Sequence, residues 1–125
     1  MNILDPGHRY ELACLDAPND DYVETLTFVK REGDKYPGNV GHHPGTNIQE
    51  VLRALIDRLW YLDVQDHDDR NEQIIFKLRD SIYLLEERAA DRHNRQFFKI
   101  MTDGIENYDF CKKCGHIGCK GDCHE

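Results

Sequence analysis

The chain has 125 residues, 39% of them apolar, enough for one modest core but not for two. A formal charge of -8, with 32% of residues charged, excludes a general attraction to duplex DNA or an anionic membrane, although a few placed arginines can still hold a small anion. No apolar run approaches the roughly 18 residues that span a bilayer, and the start, Met1 to Pro6, lacks the features of a signal peptide, so a soluble, cytoplasmic protein is expected.

In chain order, the segment from His8 to Leu15 reads as a short strand between two punctuating stretches, Asp5-Pro6-Gly7 and Asp16-Ala17-Pro18-Asn19. A stronger strand follows over Tyr22 to Arg31, rich in β-branched and aromatic residues. Its alternation sets Tyr22, Leu26 and Phe28 on one side and Val23, Thr25, Thr27 and Val29 on the other. The Gly- and Pro-rich stretch YPGNVGHHPG, Tyr36 to Gly45, is a surface loop. It serves either as a connector or as a ligand-facing loop presenting backbone N–H groups before a helix.

Thr46 opens the first helix with a T-x-x-Q capping box to Gln49, and Glu50 suits the positive end of the helix dipole. Ile48, Val51, Leu52, Leu55, Ile56, Leu59 and Leu62 recur at spacings of three and four and form one apolar stripe. Asp66, Asp68 and Asp69 make a turn, and a second helix begins near Asp69 with Ile74, Ile75, Leu78, Ile82, Leu85 and Ala89 on one face. The short turn implies an antiparallel hairpin with facing stripes. A thinner stripe on the second helix, Phe76, Tyr83, Ala90 and Phe97, is expected to point away and be buried against another chain or the N-terminal strand.

The expected fold is therefore α+β and oligomeric. A small N-terminal antiparallel β region and loop (1–45) precedes a long antiparallel two-helix hairpin (46–103) and a Cys-rich tail (104–125).

Three features can carry chemistry. Arg88 and Arg92 lie one helical turn apart and can form a two-fork clamp for phosphate oxygens, unless Glu86, Glu87 and Asp91 pair with them on a solvated face. Tyr61 points away from the apolar stripe and can stack on a base, and Asn71, across the turn, offers both a donor and an acceptor. Taken alone, each is read first as an ordinary surface residue. Asn71 and Arg88 are seventeen residues apart, about 25 Å along one helix, so a site using both must be built between protomers.

The third feature is the tail, FCKKCGHIGCKGDCHE. Cys111, Cys114, Cys119 and Cys123 are spaced C-x2-C-x4-C-x3-C, with glycines between them that permit a tight wrap around a tetrahedral ion. A structural zinc knuckle is the favoured reading, with His116 or His124 able to replace one cysteine. A flexible thiol-rich end and a redox pair are the competing ones. No GxSxG, P-loop or HExxH motif is present, and no acid–base pair stands out, so an enzyme is the weaker class.

The segments FVKREGDKYPGN, PGTNIQEVLRALIDRLWYLD and NEQIIFKLRDSIYLLEERAADRH resemble the phage proteins of the first-described anti-Thoeris sponge type. The similarity covers about Thr25 to Arg95, with EVLRALIDR and LEERAADRH its more specific parts. The resemblance implies a phage protein, acting in the bacterial host cytoplasm, that does no chemistry. It captures the cyclic ADP-ribose isomer made by TIR-domain enzymes, and some members also take up cyclic oligonucleotides of CBASS. It implies a homo-oligomer, a hexamer in several members, and ligand contacts that fall on Tyr61, Asn71, Arg88 and Arg92. The aromatic is often phenylalanine, so Tyr61 departs slightly from the pattern. Lys35 and Tyr36 also lie in family-like sequence. The first twenty residues and the cysteine tail fall outside the resemblance. The alternatives are an enzyme that cleaves such signals and a zinc-knuckle protein-interaction module.

Overall fold

A computed structural model of the chain describes residues 1–30 and 43–92. It divides into two compact units, Met1–Ile48 and Gln49–Glu125. Most of the loop from Tyr36 to Gly45, with Lys35, lies outside the described residues, as do Arg31, Phe97, the hairpin end up to 103 and the four tail cysteines. No helix among the described residues is long and apolar enough to cross a membrane.

The first unit is an antiparallel sheet of β1 (Asn2–Asp5), β2 (Arg9–Ala13) and β3 (Val23–Thr27), in that spatial order. The turn between β1 and β2 has its cause in Asp5-Pro6-Gly7-His8. Pro6 presets its own φ, Gly7 takes φ 82°, and the His8 N–H donates to the Asp5 carbonyl at 2.9 Å. That punctuation is thus a hairpin turn with a strand on each side. The sequence reading assigned no strand to Asn2–Asp5. The expected strand from Tyr22 is shorter than its composition suggests, because after Thr27 the chain changes partner. The Phe28 N–H donates to the His8 carbonyl at 2.6 Å, and beyond it Val29 and Lys30 bond to Thr46 and His43 through isolated bridges. Phe28 packs edge-on against Tyr10, with ring centroids 6.1 Å apart.

Gly45 sits where this second pairing brings two backbones together. A Cβ there would lie 2.5 Å from the Phe28 carbonyl carbon and 2.6 Å from the Val29 nitrogen, so only glycine allows the approach. The same pairing moves the start of the first helix. The Thr46 carbonyl accepts from Val29 and its N–H donates to Thr27, whereas an N-cap carbonyl accepts the first intrahelical bond. Thr46 is therefore not the cap: α1 runs from Ile48 to Gln65 and places Asn47 in the capping position.

In the second unit, α2 runs from Asp69 to Arg92. The pairing of Asp63 with Asn71 near the turn and of Arg53 with Glu86 farther along shows α1 and α2 to be antiparallel. Ile56, Ile75 and Ile82 are fully buried between them, with Leu52, Leu59, Trp60 and Leu78 packed around. Each such isoleucine contributes about 1.5–3 kcal/mol by leaving water.

The second stripe expected on α2 is divided among the described residues. Tyr83 and Ala90 follow Ile82 and Ala89 by about 100° and are buried with them in the single chain, with Glu86 between. Phe76 and Ile74, at the margins, stay half exposed. The thinner stripe thus needs no partner chain to cover Tyr83 and Ala90.

The close approach at Gly45 predicts that Gly45→Ala destabilises the β unit by about 1–3 kcal/mol. The measurement is a shift in the chemical denaturation midpoint, and an unchanged midpoint would contradict the geometry described.

Candidate functional site

The turn of the hairpin is held by a polar network. The last turn of α1 closes with the Asp66 N–H on the Leu62 carbonyl at 3.0 Å. Asp68 then caps α2: its Oδ1 accepts the Arg70 N–H at 2.9 Å, and its carboxylate takes the Arg70 guanidinium through Nε and Nη2. Asp63 reaches across from α1. Its Oδ1 accepts from the Asp68 N–H and from Asn71 Nδ2, both at 3.0 Å. Its Oδ2 lies 3.1 Å from His67 Nδ1, and His67 Nε2 lies 3.0 Å from Asp69 Oδ1.

This geometry sets the charges. The Asp68 N–H, then Asn71 and His67, hold the Asp63 carboxyl down at about 2. The side chain of Arg70, and next its N–H, do the same for Asp68, also at about 2. His67 is pushed above its ordinary 6.5, first by its hydrogen bond to Asp63 and next by that to Asp69. When protonated, its two ring N–H groups each donate to a carboxylate.

The four residues expected to bind ligand fall in three places. Tyr61 is 57% exposed on the outer side of α1, about 140° around the helix from Ile56. The Arg58 guanidinium sits 5.5 Å from its ring centroid. Asn71 is half-buried on the side that faces Asp63, so it and Tyr61 project differently from the tip.

Arg88 and Arg92 are exposed on the last turns of α2. Glu86, an expected partner, is instead turned into the helix interface, where its Oε1 lies 3.8 Å from Arg53 Nη2. Among the described residues neither Arg88 nor Arg92 takes an acid as an ion-pair partner. Because α2 is unbroken from Asp69 to Arg92, Asn71 and Arg88 stay about 25 Å apart on one chain.

Asp63 and His67 were not singled out from the sequence. Their signal was the i,i+4 spacing of a carboxylate and an imidazole at the end of a helix, hidden among four other charged turn residues. Elsewhere, an open cleft of about 610 Å³ lies beside the β2–β3 loop, lined among others by Glu11, Cys14 and Tyr22, and it contains none of the four. Among the described residues no three His, Cys, Asp or Glu side chains are placed to share a metal ion. Comparison with protein-family models, curated proteins and solved structures finds no match to this chain.

The turn has a defined pH window. The depressed carboxyls Asp63 and Asp68 add stability that is present above 3.8 and lost as pH falls toward about 2. His67, raised, adds stability that is full below 6.5 and lost as pH rises through its folded-state value. The turn is therefore most firmly held between 3.8 and 6.5. A proton NMR titration is expected to show the His67 midpoint above 6.5 and to show Asp63→Ala moving it back toward 6.5. A midpoint indifferent to that substitution would count against the network.

Proposed function

We propose that the protein is an oligomeric sponge for cyclic nucleotide immune signals, of the anti-Thoeris type that its hairpin sequence resembles. Its ligand is a cyclic ADP-ribose isomer, with cyclic oligonucleotides as a second class, and it holds the signal intact in the host cytoplasm. The observation that carries this reading is the pair Arg88 and Arg92. Two guanidinium groups stand exposed one turn apart, and among the described residues no acid neutralises them. The nearest carboxylate in sequence on the buried face, Glu86, is drawn inward by Arg53. Such a pair offers parallel N–H donors to phosphate oxygens.

The mechanism is sequestration. Arg88 and Arg92 hold the phosphates, Tyr61 stacks on adenine, and Asn71 reads a polar edge. The length of α2 and the different directions of Tyr61 and Asn71 support a pocket shared between protomers, in which these contacts come from more than one hairpin. The incompletely covered apolar side chains of the β unit, Ile3, Leu4 and Tyr22 among them, support assembly as well. The hexamer implied by the resemblance belongs to this proposal.

Changing Arg88→Ala together with Arg92→Ala is expected to weaken calorimetric affinity for the cyclic ADP-ribose isomer by at least about a hundredfold, with the oligomer retained. Unchanged affinity would remove the arginine pair from the site. Ligand recovered intact by chromatography after the protein is denatured supports a sponge, and new products would support an enzyme that cleaves the signal.

The tail is a separate part of the proposal. Cys111, Cys114, Cys119 and Cys123 supply four thiolates, the donor set of a closed structural zinc site with no position for a reacting water. Metal analysis is expected to find one zinc per chain, lost on Cys114→Ser. A metal-free wild-type protein purified under reducing conditions would leave the redox or flexible-end readings.

A further inference from the structure

Asn71 meets Asp63 in a way that decides which end of its amide is taken up by the protein and which is left over. The contact atom lies 3.0 Å from Asp63 Oδ1. Asp63, held down at about 2, is a carboxylate at neutral pH, and a carboxylate only accepts hydrogen bonds. The atom facing it must therefore be the amide nitrogen, since the carbonyl oxygen in that place would set two acceptors against each other.

Asp63 is itself immobilised. The Asp68 N–H enters the same Oδ1, and His67 engages Oδ2. The Asn71 carbonyl oxygen is left turned away from Asp63, with no protein partner among the described residues.

A fixed amide matters only for some ligand groups. A ribose hydroxyl both donates and accepts, so it is satisfied whichever way the amide points. An exocyclic purine amine only donates, and the oxo group that replaces it in hypoxanthine only accepts. The turn also disfavours an anion, because Asp63, Asp66, Asp68 and Asp69 outnumber His67 and Arg70. Phosphates suit the far end of α2, and the tip suits a neutral base edge.

We propose that Asp63 is a specificity-determining positioning residue: by pinning the Asn71 amide with its carbonyl oxygen outward, it makes the tip accept from the amine of an adenine-type base and reject a 6-oxo purine. This rests on the sponge reading. Asp63 acts through Asn71 and touches no ligand itself.

The test uses the whole protein and two probes, the cyclic ADP-ribose isomer produced by a TIR-domain enzyme and its hypoxanthine counterpart. In the wild type the amine form is expected to bind about tenfold more tightly, because the oxo group faces an unsatisfied acceptor. In Asp63→Ala the amide is free to turn, and the ratio is expected to fall to within about twofold, whatever the absolute affinities. A purely structural Asp63 would weaken both probes together and keep the ratio, and that result overturns the proposal.

A second measurement needs no variant. Asn71 and His67 share Asp63, so the Asn71 side-chain amide resonances are expected to shift with the midpoint of the His67 ring. Amide resonances that ignore that titration overturn it too. Equal wild-type affinity for the two probes overturns this inference and leaves the sponge standing, whereas binding of neither probe overturns both.

Discussion

The antiparallel seam of Ile56, Ile75 and Ile82 is the constraint on which the hairpin depends. These are the side chains most completely removed from water among the described residues, and they fix how α1 and α2 are rotated against each other. From that rotation follow the positions of the polar groups. Asp63 faces Asn71 because it lies on the same side of α1 as Ile56, about 20° away after seven residues. Glu86 points inward because it sits within the buried face of α2, between Ile82 and Ala90. A different rotation would return Glu86 to the surface, where it could neutralise the arginines near it in sequence.

Keeping the Arg53–Glu86 pair in the interface is not an obvious source of stability. Burying two charges costs several kcal/mol, about what their attraction returns. Its geometric consequence is clearer. One carboxylate that could compete for Arg88 or Arg92 is committed elsewhere, and Arg53 is held by Glu50 at 2.9 Å as well. On a chain with a net charge of -8 that leaves Glu87 and Asp91 as the exposed acids beside the two arginines. Asp63, Asp66, Asp68 and Asp69 crowd the turn, and Arg88 and Arg92 are exposed at the other end of α2 with Glu87 and Asp91 beside them in sequence.

The β unit follows a different logic. None of its described residues is fully buried, and its sheet is extended by backbone pairing as much as by a core. Phe28 and Thr46 stand opposite each other because Gly45 lets the chains approach. That pairing commits both backbone groups of Thr46 and so determines where α1 can begin. The first helix thus takes its start from the sheet, and its capping position moves by one residue relative to the local T-x-x-Q pattern.

What the sequence by itself determined are the features with a strong local cause. Both helices follow from apolar spacings of three and four over many turns, the hairpin from its short acidic turn, and the β2 and β3 regions from β-branched and aromatic runs. That Arg88 and Arg92 lie close together on one helix was legible because one helical turn needs no tertiary information. Tertiary structure decided the rest. The strand β1 is four residues long and mostly exposed, too short to show a period, and it exists because the Pro6-Gly7 turn brings it onto β2. That Tyr83 and Ala90 are buried as Ile82 and Ala89 are depended on the packed chain, which no helical wheel of α2 alone contains. Which carboxylate meets Asn71, and which acid abandons the arginines, were settled only when two helices met at a particular rotation. Hydrogen-bond partners eight or more residues apart are chosen by packing and not by local preference.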